Sequence, residues 1–258
     1  MKIKITLATA MLAGLISAQA SAADMRAPIM KAPAAMPSVY NWTGFYAGLN
    51  AGYAWGKSDP TLQDVSFFEG SPQVAATPSL KPKGFIGGGQ LGYNWQSGIW
   101  VLGAELDFSG LDVKASERVA GLFVQGVNIF NTTFSSRYDW LFTARARLGV
   151  TIAPNSLLYA TGGLAVTHAK DSVSTLNTAN GVTADWSESE TLVGGTVGAG
   201  VEYAFAPNWS VKAEYLYSKF KDSSPPLTGS NVGGVISGPV AEFDHNLHVV
   251  RAGINYKF

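Results

Sequence analysis

The sequence predicts an all-β fold, an eight-stranded antiparallel up-and-down transmembrane β-barrel. Three observations predict it. From Trp42 onward, eight stretches alternate with period two, the pattern of strands whose two faces meet different surroundings. Within those stretches every Asp, Glu, Lys and Arg falls on one glycine-rich parity, and the apolar parity carries none. Short and long connections also alternate strictly, as in barrels with tight turns on one side of a membrane and long loops on the other. A lipid-facing charge near the bilayer midplane costs about 2 to 4 kcal/mol in such a barrel, so the charge-free parity is the expected lipid face.

The first stretch, TGFYAGLNAGYAW (43–55), sets Phe45, Ala47, Leu49, Ala51, Tyr53 and Trp55 against Gly44, Tyr46, Gly48, Asn50 and Gly52. GFIGGGQLGYNW (84–95) sets Phe85, Leu91, Tyr93 and Trp95 against Gln90 and Asn94. IWVLGAELDFS (99–109) sets Trp100, Leu102, Ala104, Leu106 and Phe108 against Glu105 and Asp107. RYDWLFTARARLGV (137–150) sets Tyr138, Trp140, Phe142, Ala144, Ala146 and Leu148 against Arg137, Asp139, Thr143, Arg145 and Arg147. LLYATGGLAVTH (157–168) is weaker, because both faces are apolar or small. TLVGGTVGAGVEYAF (191–205) sets Val193, Val197, Val201, Tyr203 and Phe205 against Thr196 and Glu202. WSVKAEYLYS (209–218) sets Trp209, Val211, Ala213, Tyr215 and Tyr217 against Lys212 and Glu214. VVRAGINYKF (249–258) ends the chain in mid-alternation, which makes sense if the last strand pairs with the first to leave no edge in lipid.

The tight turns are expected at 96–98, 153–155 and 206–208, and the long links at 56–83, 110–136, 169–190 and 219–246. Both chain ends then share the side of the short turns, the periplasm. Two aromatic belts fit the headgroup levels: Trp95, Trp100, Tyr203, Phe205, Trp209, Tyr256 and Phe258 near the short turns, and Tyr53, Trp55, Phe85, Phe108, Tyr138, Tyr215 and Tyr217 toward the long loops.

The N-terminus reads as export. Lys2 and Lys4, an apolar run from Leu7 to Ile16 and Ala20-Ser21-Ala22 form a signal peptide over residues 1–22, since the run falls short of the ~20 residues a membrane-spanning helix requires. Residues 23–41 read as a Pro/Ala-rich periplasmic leader, and 42–258 as the barrel. The 18 basic and 18 acidic residues cancel, which gives no support to nucleic-acid binding. The absence of cysteine excludes disulfides, thiol catalysis and a cysteine-linked lipid anchor.

Eight strands leave a lumen that side chains can fill. Glu105, Arg147, Glu214 and Arg251 fall at similar height on the inward parity, with Asp107, Arg145, Glu202 and Lys212 within a few residues. They predict a belt of ion pairs that plugs the mid-lumen, with Glu202 opposite Lys212 if the turn at Pro207 takes three residues. His168, His245 and His248 lie toward the external side, near Asp171, Glu242 and Asp244. No local pattern supplies a catalytic trio, so the expectation is no enzyme activity and no cofactor.

NWTGFYAGLNAGYAWG, GFIGGGQLGYNWQ, WVLGAELDF, ARARLGV, LLYATGGLAV, GAGVEYAF, NWSVKAEYLY and HVVRAGINYKF together resemble the porin-like small outer-membrane β-barrel proteins of alphaproteobacteria, which are similar to the membrane domain of outer membrane protein A. The resemblance spans about residues 40–258. It implies a surface barrel of the outer membrane supporting envelope integrity, surrounded by lipid and lipopolysaccharide, with some relatives described as immunogenic antigens and others as haemin binders. It also implies that Tyr256 and Phe258 form the signal read by the outer-membrane assembly machinery. A narrow channel for small solutes and a surface receptor for haem or a host molecule are the alternatives. No segment follows the last strand, so a peptidoglycan-anchoring role is not expected.

Overall fold

A computed structural model of the protein describes residues 39–63, 79–124, 127–178, 181, 183–221, 226–231 and 234–258. The expected signal peptide and nearly all of the leader lie outside the described residues. The described residues form nine strands: β1 Gly44–Gln63, β2 Lys83–Ser97, β3 Trp100–Val124, β4 Val127–Ala153, β5 Ser156–Asn177, β6 Thr183–Ala206, β7 Trp209–Phe220, β8 Pro226–Asn231 and β9 Gly234–Lys257. Eight of them, β1 to β7 and β9, form an antiparallel ring closed by pairing of β9 with β1. The closure runs to the last residue, where the Phe258 amide donates to the Phe45 carbonyl at 3.0 Å. Followed from strand to strand, the register that leaves β1 at Tyr46 returns to it at Gly56, a shift of ten residues. A staggered ring of this kind tilts its strands by roughly 40° to the barrel axis.

Each of the eight expected stretches lies within, or overlaps, a strand of the ring, and the strands run further than the alternation does. Much of 110–136, 169–190 and 219–246, expected as long links, is strand. β7 stops at Phe220, and β8 takes over the space above it by pairing with β6 and β9. Backbone groups beyond the membrane keep their partners by extending the same ladder. The inner face there still buries Phe134, Val173 and Trp186, but Thr132, Ser136 and Asp171 share it, which blurs the apolar alternation that marks a strand in sequence. The short turns are tighter than expected: Gly98-Ile99, Pro154-Asn155 and Pro207-Asn208. Gly98 has φ of +61°, a left-handed conformation that favours glycine.

The apolar parity faces outward. Phe45, Leu49, Phe85 and Leu91 are each more than 60% exposed, and both aromatic belts lie on this surface, with one exception. On β4 a bulge at Asp139 shifts the register between Tyr138 and Trp140, so that side chains on either side of it point in opposite senses. Tyr138 is therefore buried in the lumen, while Arg137 points outward and Asp139 is half-exposed. This corrects the expectation that the outward parity carries no charge. The alternation of a single sequence gives no sign of one inserted residue.

Inside, the lumen is layered. At the end of the barrel that carries the short turns Trp42, Val101, Leu157, Tyr159 and Ala204 cluster, with Tyr40 packed against them. Above them lie the buried charges, and above those an apolar layer that includes Leu111, Leu141, Leu192, Leu216 and Leu247.

Candidate functional site

Five strands supply the charged layer. β3 provides Glu105 and Asp107, β4 provides Arg145 and Arg147, β6 provides Glu202, β7 provides Lys212 and Glu214, and β9 provides Arg251. Their i, i+2 spacing on β3, β4 and β7 sends each pair to the same face. All eight residues are at most 4% exposed. Glycines make room for them and their aromatic neighbours: a Cβ on Gly92 would overlap the Tyr46 ring, and one on Gly200 the Tyr159 hydroxyl.

The charges are spent on one another. Arg251 reaches Asp107 at 2.7 Å and Glu214 at 2.8 Å. Lys212 lies 2.9 Å from Glu105. Arg145 bridges Glu105 and Glu214, the latter at 3.0 Å. Arg147 pairs with Glu202, and its guanidinium sits 3.6 Å from the centre of the Tyr159 ring. Neutral groups add further bonds, though Nε of Arg145 and of Arg147 has no hydrogen-bond partner among the described residues. The Tyr46 hydroxyl donates to Glu105 at 2.7 Å, Asn50 donates to Asp107 at 2.8 Å, and Asn255 donates to Glu202 at 2.8 Å. Four carboxylates and four cations leave the layer with no net charge. Such a layer is a set of fixed, mutually neutralising charges, without a nucleophile and base aimed at an open space.

Glu202 and Lys212 are register partners, as a three-residue turn would give. The turn has two residues, and a one-residue shift between Ala204 and Ala206 restores the register. The two side chains diverge nonetheless, Lys212 toward Glu105 and Glu202 toward Arg147.

The histidines do not converge. His245 points inward, with Nδ1 2.7 Å from the Tyr138 hydroxyl and Nε2 3.6 Å from Asp171. His168 stacks on Trp140 on the outer face, and His248 stacks on Trp55 while bonding the Tyr215 hydroxyl at 2.7 Å. The Glu242 and Asp244 side chains lie outside the described residues. Tyr256 and Phe258 face outward beside the rim of short turns, ring centres 5.3 Å apart.

Two features escaped the sequence reading. Tyr46 and Tyr159 belong to the charged layer, and the apolar layer above it was not foreseen. The second had a signal, since Leu141, Leu192, Leu216 and Leu247 all occupy the parity otherwise held by glycine and charge.

A closed ring with an apolar outer band between aromatic belts, and a polar filled lumen, defines a small membrane-spanning β-barrel of the outer-membrane type. The chain belongs to the family described as outer membrane protein beta-barrel domain, whose model matches residues 8–258. It is 38% identical to the 31 kDa outer-membrane immunogenic protein of Brucella melitensis over 96% of this chain and 98% of that one. It is 31% identical to the 22 kDa outer membrane protein of Rhizobium leguminosarum over 84% of this chain and 79% of that one. Among solved structures, the outer membrane protein OprG from Pseudomonas aeruginosa matches over 86% of this chain and all of that one, with 12% identity and a TM-score of 0.45. The protein is thus an outer-membrane barrel of a family that includes immunogenic surface proteins of alphaproteobacteria.

Proposed function

We propose that the protein is a structural surface barrel that supports the outer membrane and is closed to solutes. The observation that carries this reading is the eight-residue charged layer, neutral as a whole and capped by apolar side chains. An ion crossing it would have to break buried pairs and then pass a dry constriction, and apolar constrictions of that kind block conduction by dewetting. No catalytic step belongs to this reading. Residues 1–22 direct export, 23–41 lie in the periplasm, and Tyr256 with Phe258 present the terminal strand to the assembly machinery.

The test is conductance. Purified full-length protein in planar bilayers is expected to give no stable single-channel steps, and replacing Leu141 and Leu216 with Ser is expected to wet the upper layer and admit small currents. Large, stable steps from the parent protein would overturn the closed barrel in favour of the narrow porin. A haem receptor finds less support, because His168, His245 and His248 occupy two faces of the wall. The walls of β3 to β6, extended past the membrane, fit surface display, in keeping with the name of the immunogenic relative.

A further inference from the structure

The outer face changes character just beyond its external aromatic belt. Lys83 on β2 pairs in register with Lys114 on β3, Lys114 with Arg137 on β4, and Arg137 with Lys170 on β5. All four side chains point outward and are exposed. Adjacent strands lie ~4.8 Å apart, so the four cations form one stripe about 14 Å long. Arg137 takes its place in the stripe because of the Asp139 bulge, which turns outward a side chain that regular alternation would bury. Two acids sit among them. Asp112 lies 3.1 Å from Lys114, and Asp139 lies 2.9 Å from Arg137 and 3.1 Å from Lys170. Lys83 has no acidic partner among the described residues, and the stripe keeps two positive charges in excess.

What lies on either side of the stripe gives the ligand its chemistry. On the membrane side Phe108, Trp140 and His168 stack across β3, β4 and β5, with ring centres 5.9 and 6.3 Å apart. On the outer side the next row in register is Ser116, Ser135, Ser172 and Ser187, with Ser116 and Ser135 hydroxyls 3.1 Å apart. Along β3, β4 and β5 the order outward is therefore aromatic, cationic, hydroxylated. A phosphorylated glycolipid standing in the outer leaflet presents acyl chain, phosphate and sugar in that order.

We propose that this face of β2 to β5 is a binding site for the phosphate-bearing sugar headgroup of lipopolysaccharide. The site rests on the orientation given above, with the extended strands outside, and not on the closed lumen. Lysine acts as a point charge toward phosphate, and Arg137 adds a planar two-donor fork. Asp139 holds Arg137 and Lys170 ready on either side of itself, and yields them to a doubly charged phosphate that outcompetes its single, half-exposed carboxylate.

The test uses full-length protein in nanodiscs, titrated with bisphosphorylated lipid A, with the dephosphorylated lipid and with inorganic phosphate, and read by retained lipid in native mass spectrometry. The triple variant Lys114→Gln, Arg137→Gln, Lys170→Gln is expected to lose roughly a hundredfold in affinity for the bisphosphorylated lipid. The double variant Asp112→Asn, Asp139→Asn is expected to gain affinity, an opposite shift that unfolding cannot mimic. Equal retention of phosphorylated and dephosphorylated lipid would overturn the site, as would a triple variant that binds like the parent. Displacement by millimolar inorganic phosphate would show a free-anion site in place of a headgroup site. Conductance measured on the same variants separates the two readings, since a leaky barrel would refute the closed lumen and leave lipid retention unchanged.

Discussion

Arg145 and Arg137 stand eight residues apart on β4, and the lumen holds one while the outer surface holds the other. Arg145 has no exposed side-chain surface and lies between two carboxylates, Glu105 and Glu214. Arg137 leaves 58% of its side chain exposed and shares Asp139 with Lys170. The inner group is charge-balanced and surrounded by apolar layers, while the outer stripe carries an excess of cations facing the headgroup zone. The difference teaches that position relative to solvent, more than residue type, sets what a charge does here. Inside the wall each charge exists for its partner, and outside it remains available to a ligand.

The largest effect follows from breaking the inner balance. Arg145→Met leaves Glu105 and Glu214 each short of a cation in a site closed to water, and is expected to destabilise the barrel by about 3 to 5 kcal/mol. Urea unfolding in lipid vesicles measures it. The paired replacement Glu202→Leu with Arg147→Met removes both members of one ion pair and is expected to cost far less than either alone. Equal costs for the single and double changes would mean that these charges do not act as pairs.

Ala146 lies between Arg145 and Arg147 and faces lipid, so it separates the two environments by one residue. Ala146→Lys places on the hydrocarbon side the charge that its neighbours carry safely inside, at an expected cost of about 2 to 4 kcal/mol. Unchanged membrane assembly and stability would refute the assignment of the outer face.

That contrast between neighbours was legible in the sequence because Ala144, Ala146 and Leu148 alternate with Arg145 and Arg147. The same reasoning failed at Tyr138 and Arg137, where one added residue at Asp139 reverses the facing without altering composition. The long strands past the membrane were illegible for another reason. Outward rows such as Ser116, Ser135, Ser172 and Ser187 are small and polar, while inward Phe134, Val173 and Trp186 are interspersed with Thr132, Ser136 and Asp171, so neither parity is uniformly apolar and the period is weak. Membership of the charged layer could be read from parity and height. The partner choices could not, since Lys212 crosses the lumen to Glu105 instead of meeting Glu202 beside it.

Beyond the stripe, at the outer mouth of the lumen and clear of the bilayer, Asp171 offers a smaller test between the extremes. Burial raises its carboxyl to about 6; the nearby Ser136 hydroxyl opposes the rise and Glu190 adds to it, and His245 lies 3.6 Å away. The folded protein therefore binds this proton more tightly than the unfolded chain, whose carboxyl titrates near pH ~4. Stability from this group is present at low pH and is lost as pH rises from about 4 to about 6, by roughly 3 kcal/mol. Asp171→Asn is expected to remove that slope in urea titrations at successive pH values. An identical slope in the variant would assign the dependence elsewhere.

The smallest effect is expected from Arg137→Ala. Its partner Asp139 keeps a second cation, Lys170 at 3.1 Å, and water reaches both, so the lost pair contributes no more than about 1 kcal/mol. Stability in vesicles of neutral synthetic lipid should then match the parent closely, while the same change in vesicles bearing phosphorylated glycolipid should lower the unfolding midpoint further, because bound headgroup stabilises only the folded barrel. Arg145→Met should show the same loss in both lipids. If Arg137→Ala proved as costly as Arg145→Met in neutral lipid, the outer stripe would be a structural element like the inner layer, and the division between the two would fail.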